Sequence, residues 1–127
     1  MKDWFGLTVE FSCAHFYRQA KWDEKKNREV FGKCFTPYGH GHDYVLKAEF
    51  LQEELAPEQA REALRKLREE LDHQHLNFVF EEFHEKVPTT ENLILFCRDR
   101  LRRNIGRPTT IHLTLWERRD LGASLSS

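Results

Sequence analysis

No stretch of this chain approaches the roughly 20 consecutive apolar residues a helix needs to cross a bilayer, and its start, Met1-Lys2-Asp3-Trp4, lacks the apolar core of a secretory signal. Neither a membrane span nor export is expected. Cysteine is scarce too. Cys13, Cys34 and Cys97 are odd in number and irregular in spacing, which argues against a disulfide framework and for a reducing, cytoplasmic setting. An excess of either charge is also missing: 20 basic and 21 acidic residues leave a formal charge of -1, no general footprint for nucleic acid or a membrane surface. Local basic runs such as Lys21 to Arg28 and Arg98 to Arg103 read as solvated faces, members of which suit a small anion. Internal repeats and low-complexity tracts are absent, and 127 residues suit one domain, 1–127, with one core.

What the chain does have is a concentration of imidazole. In Gly32-Lys33-Cys34-Phe35-Thr36-Pro37-Tyr38-Gly39-His40-Gly41-His42-Asp43-Tyr44, two histidines stand two residues apart just downstream of a thiol. On an extended strand rising about 3.3 Å per residue, His40 and His42 project from one face with Cα atoms roughly 7 Å apart, close enough to converge on one ion. A third imidazole comes from the segment Trp4 to His15. There Phe5, Leu7, Val9, Phe11, Cys13 and His15 alternate with Gly6, Thr8, Glu10, Ser12 and Ala14, so His15 ends the apolar face of a strand. If the two strands pair antiparallel, three histidines meet at one edge of the sheet and leave a fourth tetrahedral position for water or substrate, the pattern of a catalytic zinc site. Cys34 admits two readings: a buried small hydrophobe, or a fourth ligand that would make the site structural.

The remaining elements follow from periodicity. A long polar connection over residues 16 to 39 delivers Cys34 to the histidine pair, and a second strand runs from about His40 to Leu51. Pro57 opens a helix whose apolar stripe is Ala60, Leu64, Leu67 and Leu71. It runs into Leu71-Asp72-His73, where a carboxylate adjoins an imidazole. Thr89 and Thr90 offer N-caps for a helix over Glu91 to Ile105 that ends at Gly106. Ile111, Leu113, Leu115 and Glu117 then share a strand face, and a carboxylate continuing an apolar face is unusual. It is either a strand end emerging into solvent or a buried anchor for a cationic or amide-rich ligand. Ala123 to Leu125 supply a short last strand. The expected fold is α+β, with two helices on one face of an antiparallel four-stranded sheet. Its open edges favour assembly into a closed barrel.

In this order, Phe11-Ser12-Cys13-Ala14-His15, Phe31-Gly32-Lys33-Cys34, Gly39-His40-Gly41-His42-Asp43-Tyr44, Leu71-Asp72-His73, Thr89-Thr90-Glu91-Asn92 and Glu117 resemble the blocks of the 6-pyruvoyl-tetrahydropterin synthase family, which includes the 6-carboxy-tetrahydropterin synthases of queuosine biosynthesis. The resemblance implies the T-fold, with subunits joining sheets into a barrel and active sites at subunit interfaces, commonly in a homohexamer of two trimers. Carried over by position, it implies that His15, His40 and His42 hold zinc, that Cys34 is the catalytic thiol and that Asp72 and His73 complete the proton-transfer machinery. Glu117 would anchor the pterin, with Thr89, Thr90 and Glu91 helping to line its pocket. The implied reaction converts 7,8-dihydroneopterin triphosphate to 6-pyruvoyl-tetrahydropterin with loss of triphosphate. Five residues between Cys34 and His40 resemble the 6-pyruvoyl type, whereas the queuosine enzymes typically have three. The alternatives are 6-carboxy-tetrahydropterin synthesis and a non-catalytic, zinc-stabilised pterin-binding module.

Overall fold

Two twelve-residue strands, β1 (Trp4–His15) and β2 (His40–Leu51), pair antiparallel along their whole length, from Trp4 opposite Leu51 to His15 opposite His40. The computed structural model describes residues 2–32, 35, 39–118 and 121–127. Between the strands, where the sequence suggests only a polar connection, lies helix α1 (Glu24–Phe31). Its nucleus is local. Asp23 caps it by accepting from the Lys26 amide at 2.8 Å, and the buried Asn27 side chain accepts from the Gln19 amide and donates to the carbonyls of Gln19, Trp22 and Asp23. A helix with so few apolar residues escapes a search for apolar periodicity.

Helix α2 (Pro57–Leu71) buries Ala60, Ala63, Leu64, Leu67 and Leu71, and the residue after it, Asp72, leaves helical geometry. His73 then takes a positive φ of 62°, unusual for a residue with a Cβ but accessible to histidine. That turn lays β3 (Gln74–His75) parallel to β1, with Cys13 opposite Gln74. The chain continues through the single turns α3 (Leu76–Val79) and α4 (Glu82–Glu85) into α5 (Thr90–Ile105). Thr89 caps α5 by accepting from the Asn92 amide, and Gly106 ends it in the left-handed region that glycine enters without steric cost. Strands β4 (Ile111–Arg118) and β5 (Leu121–Ser126) complete a sheet of order β3-β1-β2-β4-β5. The sheet is therefore five-stranded and mixed rather than four-stranded and antiparallel. Two residues of parallel pairing leave too short a pattern to be seen in sequence.

One face of the sheet is the core. Phe11, Cys13, Tyr44, Leu46, Ala48, Phe50, Ile111, Leu113 and Leu115 pack against the apolar stripes of α2 and α5, all of them buried. The opposite face carries mostly polar residues that are exposed or half-buried, among them Thr8, Glu10, Lys47, Glu49 and Thr114, as expected for a sheet with one face covered.

Candidate metal centre and adjoining cleft

At one end of the core face the side chains change character. His15 ends β1 and is fully buried, His40 opens β2 directly opposite it, and His42 and Glu117 complete the group. One potential ligand atom from each of these four residues lies within 4.8 Å of the other three. Ring centroids confirm the convergence: 4.7 Å for His15 and His40, 4.9 Å for His15 and His42, and 4.6 Å for His40 and His42.

Local structure explains the placement. Gly39 has φ 79°, and a Cβ there would fall inside van der Waals contact of the His15 carbonyl, so only glycine lets β2 begin this close to the end of β1. Asn77 fixes the far side of the same strand end. Its side chain accepts from the Phe16 amide at 2.9 Å and donates to the Phe16 carbonyl at 3.0 Å, replacing the strand partner that the backbone would otherwise lack.

The donor set fits a metal ion. Nε2 of His15, Nδ1 of His40 and Nε2 of His42 are buried without a hydrogen-bond partner, a costly state unless something else takes the lone pairs. His42 Nε2 approaches Glu117 Oε1 to 2.8 Å and His15 Nε2 approaches it to 3.6 Å, yet neither nitrogen is hydrogen-bonded. Atoms this close whose bonding directions miss each other are placed as ligands of one ion are placed. Burial, followed by the charges of His40, His42 and His75, lowers His15 from 6.5 to about 3, and burial foremost also lowers His40. His15 is thus neutral at physiological pH, the form that binds metals.

Tyr44 supports the group from behind. Its hydroxyl lies 3.0 Å from His15 Nδ1 in the buried core, and burial pushes its pKa far up, so the phenol stays protonated. With Nδ1 engaged there, Nε2 is the nitrogen left to face a metal, and toward a bound ion Tyr44 would be an outer partner that sets the tautomer. The sequence shows Tyr44 on the same strand face as His40 and His42, but not its contact with the third histidine.

A cleft lined by Ser12, Cys13, Ala14, Gly41, His42, Asp43, His73, Gln74 and His75 joins this centre to the Asp72-His73 pair. Asp72 is fixed by the Ser12 amide at 2.9 Å, with Arg68 at 3.3 Å and His73 Nε2 at 3.5 Å. The Ser12 amide foremost, aided by the charges of His73 and Arg68, holds the Asp72 carboxyl below the usual carboxylate range. His73 is 83% exposed to solvent. Ser12 also donates through its hydroxyl to Asp43.

Of the remaining sequence-expected residues, Thr90 is buried and donates to Glu117 Oε2 at 3.2 Å, whereas Thr89 is occupied as a helix cap and Glu91 is exposed in the first turn of α5. Cys34 lies outside the described residues. Neither of the other two thiols is reactive in this state. Burial foremost pushes Cys13 up to about 12 and pushes Cys97 further in the same direction.

Comparison with known proteins agrees with this arrangement. The family model described as 6-pyruvoyl tetrahydropterin synthase matches residues 7–127. A Caenorhabditis elegans relative named "Putative 6-pyruvoyl tetrahydrobiopterin synthase" is 33% identical over 110 residues, 80% of this chain and 78% of the relative. The human 6-pyruvoyl tetrahydrobiopterin synthase is 31% identical over 75% of this chain and 71% of its own length. A Pyrococcus furiosus relative named dihydroneopterin monophosphate aldolase is 27% identical over 92% and 91% of the two chains. Among solved structures, the Caenorhabditis elegans 6-pyruvoyl tetrahydropterin synthase superposes with a TM-score of 0.90 at 23% identity, covering 100% of this chain and 96% of that one, which shows the shared T-fold. The chain belongs to the 6-pyruvoyl tetrahydropterin synthase family.

Proposed function

We propose that this protein is a zinc-dependent carbon-oxygen lyase that converts 7,8-dihydroneopterin triphosphate to 6-pyruvoyl-tetrahydropterin with elimination of triphosphate. The observation that carries the proposal is the convergence of His15, His40 and His42 beside a cleft that also contains His73. These three histidines would hold the metal, which when bound supplies a Lewis acid that acidifies the substrate's side-chain hydroxyls and stabilises developing enolate charge.

The chain's own groups divide the remaining work. Glu117, on the site side of β4 with Oε2 steadied by Thr90, offers a carboxylate to the guanidine-like edge of a pterin, where two parallel N–H donors match its two oxygens. Thr89, Thr90 and Glu91 place the N-terminus of α5 next to that anchor. Asp72, its carboxyl held below the usual range by the Ser12 amide, stands 3.5 Å from His73 Nε2, and in this reading His73 passes a proton to or from the substrate. The thiol that removes the carbon-bound proton is Cys34 in this reading, because Cys13 and Cys97 are buried and protonated. The internal redox and the loss of triphosphate balance within one substrate, and no nicotinamide is needed.

Among the described residues no helix is long and apolar enough to cross a membrane, and the reading places the enzyme in the cytoplasm. It also assembles the single domain through the sheet edges formed by β3 and β5 into trimers and a hexamer. A solution mass six times the 15.3 kDa of the protomer is expected by light scattering.

Incubating the zinc-loaded protein with 7,8-dihydroneopterin triphosphate and resolving the products by mass tests the proposal. Release of triphosphate with 6-pyruvoyl-tetrahydropterin is expected. Absence of turnover at one zinc per chain would sink it. The same measurement separates a 6-carboxy product, and it also separates the side-chain cleavage suggested by the name of the Pyrococcus furiosus relative. Cys34→Ala separates catalysis from a zinc-stabilised binding module: the lyase keeps its zinc and loses turnover, whereas loss of zinc would make Cys34 a structural ligand.

A further inference from the structure

Glu117 stands in an environment that a substrate anchor alone does not explain. Its side chain is only 6% exposed, and no lysine or arginine of the described residues pairs with it. A buried carboxylate without a cation is expensive. One neutral hydrogen bond, from Thr90 Oγ1 at 3.2 Å to Oε2, falls well short of offsetting that cost. The other oxygen, Oε1, points away from Thr90 into the three-histidine group. Its separations of 2.8 Å from His42 Nε2 and 3.6 Å from His15 Nε2 bracket the roughly 3.3–3.5 Å between ligand atoms on a tetrahedral zinc with bonds of about 2.0–2.2 Å.

The backbone adds a second observation. Strand β4 pairs with β5 in even register up to Trp116 opposite Gly122, then slips by one residue so that Arg118 faces Leu121. Glu117 sits in that irregularity, and bulges of this kind re-aim a side chain at the edge of a site.

We propose that Glu117 Oε1 is the fourth metal ligand of the substrate-free centre, held there by Thr90, and that the carboxylate leaves the metal for the pterin when substrate binds. The second half rests on the pterin reading above; the first does not. The resting centre is then a closed three-histidine, one-carboxylate site. It opens only when a ligand offers Glu117 better partners than the ion does.

Cobalt(II) in place of zinc makes the coordination visible through its d–d absorption. A three-histidine site with a bound water changes its spectrum as that water ionises near pH 7. With Glu117 bound, the wild-type cobalt spectrum is expected to stay constant from pH 6 to about 8.5. Glu117→Gln is expected to acquire a titration in that range and to lose at least ~10-fold in metal affinity by chelator competition. A wild-type spectrum that already titrates as a bound water overturns the coordination, and needs no variant to fold. Identical affinity and spectrum in the variant do the same. Neopterin, oxidised and without phosphate, then tests the release: it is expected to bind, as read by quenching of its fluorescence, and to change the wild-type cobalt spectrum. Binding without a spectral change overturns the release alone. Failure of neopterin to bind counts against the pterin reading and the release with it, while the metal-only experiment decides the coordination separately.

Discussion

The two ends of the sheet's covered face are built from the same strands and obey different physics. At one end Leu46, Ala48, Phe50, Ile111, Leu113 and Leu115 fill the space under α2 and α5, and burial stabilises the fold directly, about 25 cal/mol for each Å² of apolar surface removed from water. At the other end the same alternation delivers His15, Tyr44 and Glu117 into burial, with the half-buried His42 beside them. There the burial costs free energy until an ion occupies the donor set. Strand periodicity thus decides which side chains go inside, and residue type decides whether going inside stabilises the fold or builds a site.

This contrast is open to direct attack. His42→Ala is expected to take zinc from about one per chain to near zero by atomic emission, and to lower turnover by more than the ~10–100-fold typical for losing an outer partner. The metal-free variant should melt within a few degrees of the metal-free parent, since His42 is partly exposed. Leu64→Ala, at the apolar end, should do the reverse: a loss of about 2–5 kcal/mol in denaturant unfolding, with zinc stoichiometry retained in the folded fraction. Tyr44→Phe removes only the hydroxyl beside His15 and should weaken zinc binding ~10–100-fold by chelator competition.

The smallest effect is a pH slope. In metal-free protein the folded state keeps His15 neutral down to about 3, while the unfolded chain takes up the proton near 6.5. Between these values the unfolded state binds more protons. Stability should therefore fall as the pH is lowered through that window, by up to about 1.4 kcal/mol per pH unit for this one group. Denaturant melts from pH 7 to 4 check the sign, and a His15→Gln variant should flatten the slope.

What could be read from the sequence follows the same division. Alternation placed His15 at the end of an apolar face, and the two-residue spacing placed His40 and His42 beside it, because a strand's period carries over long pairings such as Trp4–His15 with His40–Leu51. The helices α2 and α5 were legible from their stripes and caps. Helix α1 was hidden, because its stability rests on Asp23 and Asn27 rather than on an apolar stripe. So was β3, set by a positive φ at His73 and by the bond its amide donates to the Ser12 carbonyl. Within the site, Glu117 stood out as a carboxylate on an apolar face, yet its closeness to the histidines depends on the lateral order β1-β2-β4. That order brings residues from three strands to one end of the sheet, and single-strand patterns do not encode it.

The polar end of this face, with its three histidines, is proposed to hold one metal ion per chain. Diffraction from zinc-grown crystals, recorded on both sides of the zinc absorption edge, measures this directly. One anomalous peak per chain is expected, within about 2.0–2.3 Å of nitrogens from His15, His40 and His42. A peak elsewhere, or one from which any of these three imidazoles is turned away, would contradict it.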